Sequence, residues 1–130
     1  MVTACSRWRW CPGTYAVPGL ARAATDTFLR QVPAPPQMCL DVRLVVSELV
    51  ANAVRHGGAD RSWVELRLED LGAAVRGSVR HPGAGFKPPV TPNPETAQGG
   101  RGLLLVAALT SAWGVTVGDG TTVWFEMDHR

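Results

Sequence analysis

The order of apolar and polar positions along the chain predicts an alternation of strands and helices. Trp8, Trp10, Tyr15 and Val17 recur at roughly alternate positions around Cys11-Pro12-Gly13, a pattern open to an edge strand or a ragged terminus. Pro18 and Gly19 open a helix whose Leu20, Ala23, Ala24, Thr27 and Phe28 keep helical spacing up to the breaker Pro33-Ala34-Pro35-Pro36. A second helix is predicted from about Met38 to Arg55. Its stripe of Val42, Val45, Val46, Leu49, Val50 and Ala53 marks a core-facing side, and Gly57-Gly58 marks its stop.

Two alternating runs follow, Trp63 to Glu69 and Ala73 to Arg80, separated by Asp70-Leu71-Gly72 as a hairpin requires. The stretch 81–100 carries five prolines (Pro82, Pro88, Pro89, Pro92 and Pro94) and predicts a long irregular loop of the mobile or functional kind. A third helix over Gly102–Ser111 is apolar nearly all round, which predicts full burial. Two last strands, about Trp113–Val117 and Thr121–Asp128, flank the turn Gly118-Asp119-Gly120. The expected architecture is α+β: a two-layer α/β sandwich with a mixed, mostly antiparallel sheet and its helices on one face. Residues 1–13 form an N-terminal extension or edge strand, and 14–130 a single domain.

Composition narrows the function more than the fold. The 130 residues suit one domain. Thirteen basic against eleven acidic side chains give a formal +2, too weak a field to imply nucleic acid or an anionic membrane. The Trp8-Arg9-Trp10 run could stack on bases, but it is short evidence against that charge. No apolar run approaches a bilayer span and no secretory signal pattern is present, which predicts a cytoplasmic protein. Cys5, Cys11 and Cys39 lack the spacing of a disulfide framework or a zinc site. Fourteen glycines and ten prolines exceed ordinary usage and call for turns or a glycine-rich functional loop.

Two groups of residues carry candidate chemistry. Glu48 and Asn52, four apart on the second helix, point the same way at the edge of the apolar stripe. Asp41 and Arg55 lie beside them on the helical wheel, with His56 further round. A carboxylate next to an amide oxygen suits a hydrated magnesium ion and the orientation of a hydroxyl nucleophile. Such a pair is also common on solvated helix faces. His81-Pro82-Gly83-Ala84-Gly85-Phe86 leaves a strand, and Gly99-Gly100-Arg101-Gly102-Leu103 enters a helix. Glycines at a helix start admit close backbone approach and present N–H groups to phosphate, although such a turn also serves as a plain flexible connection.

In this order the segments resemble the GHKL ATPases. Glu48 to Gly57 is similar to the N box, E-x-x-x-N. His81 to Phe86 stands in the place of D-x-G-x-G-F, Gly99 to Leu103 resembles the glycine box, and Gly120 to Phe125 the closing strand. The short length and the run Gly-Gly-Arg-Gly-Leu-Leu-Leu-Val resemble most the actinobacterial anti-sigma-factor serine kinases. The resemblance implies ATP and Mg2+ as cofactors. It implies Glu48 as the catalytic residue that orients or deprotonates the attacking hydroxyl, and Asn52 as the magnesium ligand. His56 lies near the phosphates, Gly83 and Gly85 shape the adenine pocket, and Thr121 sits beneath the base. Gly100, Arg101, Gly102 and Leu103 close a lid formed by 81–100 and offer backbone donors to phosphate. The implied partners are an anti-anti-sigma protein of STAS type and a sigma factor, with a homodimer in keeping with the family.

The chain departs from the family pattern at one place. His81 stands where the family has the aspartate that accepts from the adenine amino group. A neutral imidazole offers one acceptor nitrogen. Beside the kinase expectation therefore stands an alternative, a degenerate module that acts through protein contacts alone.

Overall fold

The computed structural model describes residues 4–10, 17–56, 63–82 and 99–129. Its elements run β1 (Ala4–Trp10), α1 (Val17–Leu29), α2 (Pro36–His56), β2 (Val64–Asp70), β3 (Ala74–His81), α3 (Gly99–Leu109), β4 (Ala112–Val117) and β5 (Thr121–Asp128). The five strands form one sheet in the order β1-β2-β3-β5-β4. Every pairing in it is antiparallel, so the mixed sheet predicted from the sequence becomes an all-antiparallel one among the described residues.

One face of the sheet carries the helices. Along β2, Val64, Leu66 and Leu68 are buried while Glu65, Arg67 and Glu69 point the other way, the period of two that a half-covered strand requires. β5 repeats the pattern with Val123, Phe125 and Met127 inside. From above, α2 supplies Val42, Val45, Val46, Leu49, Val50 and Ala53, all buried as the apolar stripe predicts. Full burial of each Val or Leu contributes about 1.5–3 kcal/mol, so this helix anchors the layer. α1 packs on α2 and the β1–β2 side, and the ion pair between Asp26 and Arg43 ties the two helices at half-exposed positions.

Local chemistry sets the boundaries. Pro33, Pro35 and Pro36 lack the N–H a continuing helix needs; Pro36 then serves as the first residue of α2, where the missing donor costs nothing. Between β2 and β3, Gly72 adopts φ 86°, a left-handed conformation that favours glycine, and donates its N–H to Asp70 Oδ1 at 3.0 Å.

Glycines also admit aromatic rings against the sheet. Gly77 lies opposite Phe125 in the register, and a methyl group there would stand 2.3 Å from Phe125 Cε1. On the other face Trp124 lies against Gly114 in the same way, 2.8 Å from the place of a methyl.

One expectation is corrected. α3 is not buried all round: Leu103 and Val106 are inside, but Leu104, Ala107 and Ala108 are exposed, because α3 covers the sheet only at its β4 side and no second layer lies above it among the described residues. The Trp8-Arg9-Trp10 run lies in an edge strand, as its pattern allows, and is not a base-stacking surface. In the register Trp8 pairs with Leu66 and Trp10 with Val64, so both indoles fall on the core face, while Arg7 and Arg9 point outward beside Glu65.

The outer sheet face is an array of arginines and glutamates. Arg9 meets Glu65 at 2.8 Å, Arg76 meets Glu126 at 3.2 Å, and both Arg9 and Arg80 stack on Trp63. The Cys5 side chain hydrogen-bonded to Arg67, reinforced by Glu69, raises the Arg67 pKa above its ordinary value.

Candidate functional site

Glu48 and Asn52 are one turn apart on α2 and both face the first turn of α3. Asn52 is buried, and Glu48 is partly exposed. The contact that joins them is Gly102. A methyl group on its Cα would stand 2.8 Å from Glu48 Oε2 and 3.6 Å from Asn52 Nδ2, so a side chain here would have to displace the end of the Glu48 side chain.

The polarity of the Asn52 amide follows from its neighbour. Arg55 donates from Nη1 to Asn52 Oδ1 at 3.2 Å, and a guanidinium can only donate, so the oxygen faces Arg55 and the NH2 faces away. Asn52 Nδ2 is buried and has no hydrogen-bond acceptor among the described residues. An unmet buried donor costs about 1–3 kcal/mol. A ligand oxygen at this place would satisfy it.

Gly99 and Gly100 begin α3, and Arg101 and Gly102 complete its first turn. Backbone N–H groups in a first helical turn lack partners within the helix, and the helix dipole favours negative charge there. The helix starts three residues before the predicted Gly102, so the glycine box is the opening of the helix rather than the loop before it. Leu103, in the second turn, is fully buried, and its side chain belongs to the core.

His81 and Thr121 are opposite each other at the ends of β3 and β5, on the face that carries the helices. Both are buried and both have partners. Gly120 holds this end together: a methyl there would stand 2.6 Å from the His81 carbonyl oxygen and 3.3 Å from Pro82 Cα. The linear pattern marks Gly120 as a turn residue and the resemblance puts it at the head of the closing strand; its further duty, letting the turn lie against the end of β3, has no signature in either. His56 is the last residue of α2. Gly83 and Gly85, with 83–98 of the expected lid, lie outside the described residues.

Asp41 is not a neighbour of the pair. The helical wheel gives its angle, but seven residues along α2 is about 10 Å of axial rise, and Asp41 instead lines a cavity with the last turn of α3.

Two hard oxygens suited to magnesium stand on α2: the Glu48 carboxylate faces Gly102, whereas Asn52 Oδ1 accepts from Arg55 and would ligate a metal only on leaving it. No group of three His, Cys, Asp or Glu side chains that could hold a metal occurs among the described residues. Magnesium is ordinarily held this way, by one or two protein oxygens with water and substrate phosphates completing the shell.

Residues 14–127 match the histidine kinase-like ATPase domain family. Among solved structures, the RsbU and RsbW domains of Rv1364c from Mycobacterium tuberculosis are 27% identical with a TM-score of 0.70, over 97% of this chain and 32% of that one. The blue-light activated histidine kinase of Erythrobacter litoralis EL346 is 31% identical with a TM-score of 0.62, over 75% of this chain and 32% of that one. This chain thus spans about a third of the length of either. The SiaB-SiaC complex from Pseudomonas aeruginosa, 14% identical with a TM-score of 0.67 over 97% of this chain and 89% of that one, shares the fold. No curated protein matches the sequence. No helix among the described residues is long and apolar enough to cross a membrane.

Proposed function

This chain belongs to the histidine kinase-like ATPase domain family, and from that premise we propose that it is an ATP- and magnesium-dependent protein-serine kinase of the anti-sigma-factor type. The observation that carries the proposal is the convergence of Glu48 Oε2 and the unsatisfied Asn52 Nδ2 on Gly102 at the start of α3. A carboxylate, a buried donor and a helix N-terminus together form a place for a triphosphate. The likeness to a solved structure containing an RsbW domain supports the regulatory class.

The residues divide the work of phosphoryl transfer, which asks for positioning and charge stabilisation more than covalent chemistry. Glu48 holds the hydroxyl of a partner serine and accepts its proton as the oxygen bonds to the γ-phosphorus. The bond from that phosphorus to the bridging oxygen breaks, and ADP leaves. Asn52 would donate from Nδ2 to a phosphate oxygen, and would hold the metal through Oδ1 only when that oxygen leaves Arg55. Magnesium, when bound, neutralises charge on the phosphates. Gly100, Arg101 and Gly102 offer backbone donors at the head of α3, with His56 beside the phosphates; Thr121, Gly83, Gly85 and His81 form the base end. The substrate is an anti-anti-sigma protein, and a sigma factor is the second partner, bound by the chain or its homodimer in the cytoplasm.

The test is equilibrium binding of ATP with magnesium, followed by transfer of labelled phosphate to candidate anti-anti-sigma proteins. Asn52→Ala should weaken magnesium-dependent ATP binding by about 10- to 100-fold, the value of one or two lost ligand contacts. Unchanged affinity in that variant would remove Asn52 from the site.

One observation favours a second reading, a protein-binding module without nucleotide affinity: His81 stands buried where the family has an aspartate. His81→Asp separates the two. No saturable binding by the wild type together with strong binding by His81→Asp selects the module.

The close approach at Gly102 gives a further expected result. Gly102→Ala replaces a helical glycine by the best helix former, worth up to about 1 kcal/mol. The obstacle it meets is the mobile end of the Glu48 side chain. The variant should unfold at the same or a higher temperature than wild type, yet transfer phosphate about 100-fold more slowly because the carboxylate is displaced. Wild-type transfer at unchanged stability would show that the Glu48 position is not critical.

A further inference from the structure

The 17 residues from Gly102 to Gly118 carry no charged side chain, although Lys, Arg, Asp and Glu make up 18% of the chain. They run from the first turn of α3 through all of β4, two adjoining elements at one rim of the molecule. β4 is an end strand of the sheet, paired with β5 on one side and with no strand on the other among the described residues. Leu104 on α3 and Val117 on β4 are two of the five large apolar side chains left exposed among the described residues, Val117 to 51%. Ala107 and Ala108 are exposed on the turn after Leu104. Depletion of charge marks the centre of protein interfaces rather than ordinary surface.

The backbone of β4 is open on the same rim. Gly118 donates its N–H to the Gly120 carbonyl at 2.9 Å, which closes the β4–β5 hairpin. Antiparallel ladders alternate from such a bond. Thr116 and Gly114 therefore direct N–H and C=O to β5, while Trp113, Val115 and Val117 direct theirs to the open side. Natural sheets guard an open edge with charge or proline. The other end strand, β1, carries Arg7 and Arg9. β4 has neither device over its six residues.

We propose that β4 pairs with β4 of a second copy of this chain, antiparallel across a two-fold axis, and joins the two sheets into one. Such an axis sets a surface against itself, so each group must tolerate its own kind. An edge without charge does so, whereas β1 would oppose arginines to arginines. A partner selected by charge finds nothing on β4 to pair with. Centring the pair on Val115 sets Val115 against the partner's Val115 and Trp113 against the partner's Val117, all on the helix side of the sheet. It also draws the two α3 helices together, and the exposed Leu104, Ala107 and Ala108 bring no charge to oppose this. The inference rests on the homodimer of the proposed function and gives it a surface; it does not depend on nucleotide.

Sedimentation equilibrium of the full chain without nucleotide should show a monomer–dimer equilibrium in the micromolar range, the weak end expected of a small interface. Leu104→Lys with Val117→Lys, both at exposed positions, should weaken it at least about tenfold and leave thermal unfolding unchanged. Val115→Cys and Thr116→Cys, each in a chain with Cys5→Ser, Cys11→Ser and Cys39→Ser, test the register. Facing residues in such a pair stand about 5.5 Å apart at Cα, within reach of a disulfide. Val115→Cys should therefore oxidise to a covalent dimer at least about tenfold faster than Thr116→Cys, whose thiols fall two residues out of register. The cysteine readout decides independently of how the lysine variant folds. A monomer throughout the micromolar range overturns both this surface and the homodimer. A dimer indifferent to the lysines, or equal cross-linking of the two cysteine variants, overturns the surface alone. A chain that stays monomeric yet binds an uncharged alternating Val-Thr peptide saturably would assign the edge to an extended segment of another protein and likewise overturn the second copy.

Discussion

Replacing Glu48 by glutamine should lower phosphotransfer by about 10²–10⁴-fold, the usual contribution of a positioned general base. Glutamine keeps the length and planarity of the side chain but cannot accept the serine proton. The fold should be untouched, because Glu48 is partly exposed and outside the apolar core. ATP affinity should also hold near the wild-type value, since the Asn52 amide and the head of α3 remain. The measurement pairs rapid-quench transfer of labelled phosphate with equilibrium ATP binding. Transfer at the wild-type rate would withdraw the assigned role, whereas loss of ATP binding would move Glu48 from the chemistry to the binding site. Comparison with Asn52→Ala sharpens the distinction, because there binding should fail first.

The second large effect is structural. Phe125 is fully buried and its ring lies against Gly77 across β3 and β5. Phe125→Ala should cost about 3–5 kcal/mol, the range for emptying an aromatic site in a core. Gly77→Ala should cost about 1–3 kcal/mol by overpacking, since the added methyl would fall 2.3 Å from the ring with Leu68 Cδ2 3.0 Å away on another side. The two changes should not add. With the ring gone, the methyl added by Gly77→Ala has room, so the double variant should be more stable than the sum of the single costs implies, by at least about 1 kcal/mol. Denaturant unfolding of the four proteins closes the cycle. Strict additivity would mean that the ring and the glycine do not share space in solution.

The strands and helices were legible because each has a simple period. The alternation in Val64–Asp70 has one solution, a half-covered strand, and the stripe from Val42 to Ala53 has one, a core-facing helix. That Glu48 and Asn52 share one side could also be read from spacing, since four residues along a helix bring side chains together whatever the surroundings. Asp41 shows the limit of the same reasoning. An angle on a wheel carries no axial position, and only the antiparallel packing of α3 on α2 sends Asp41 to a groove and Glu48 to Gly102. The breadth of the α3 apolar surface likewise says nothing of how many sides are covered, which depends on its neighbours; Leu104 is left outside for that reason.

What the amino-acid order determined by itself is local: periodicity, breakers, turn residues and the types of side chain that can hold phosphate or accept a proton. What the tertiary structure alone decided is convergence. It set Gly102 against Glu48 and Asn52 of another helix and folded Gly120 onto the His81 carbonyl. These contacts join residues far apart along the chain. They are fixed by the volume each helix and strand must fill in the shared core, a constraint that packing imposes and no linear pattern records.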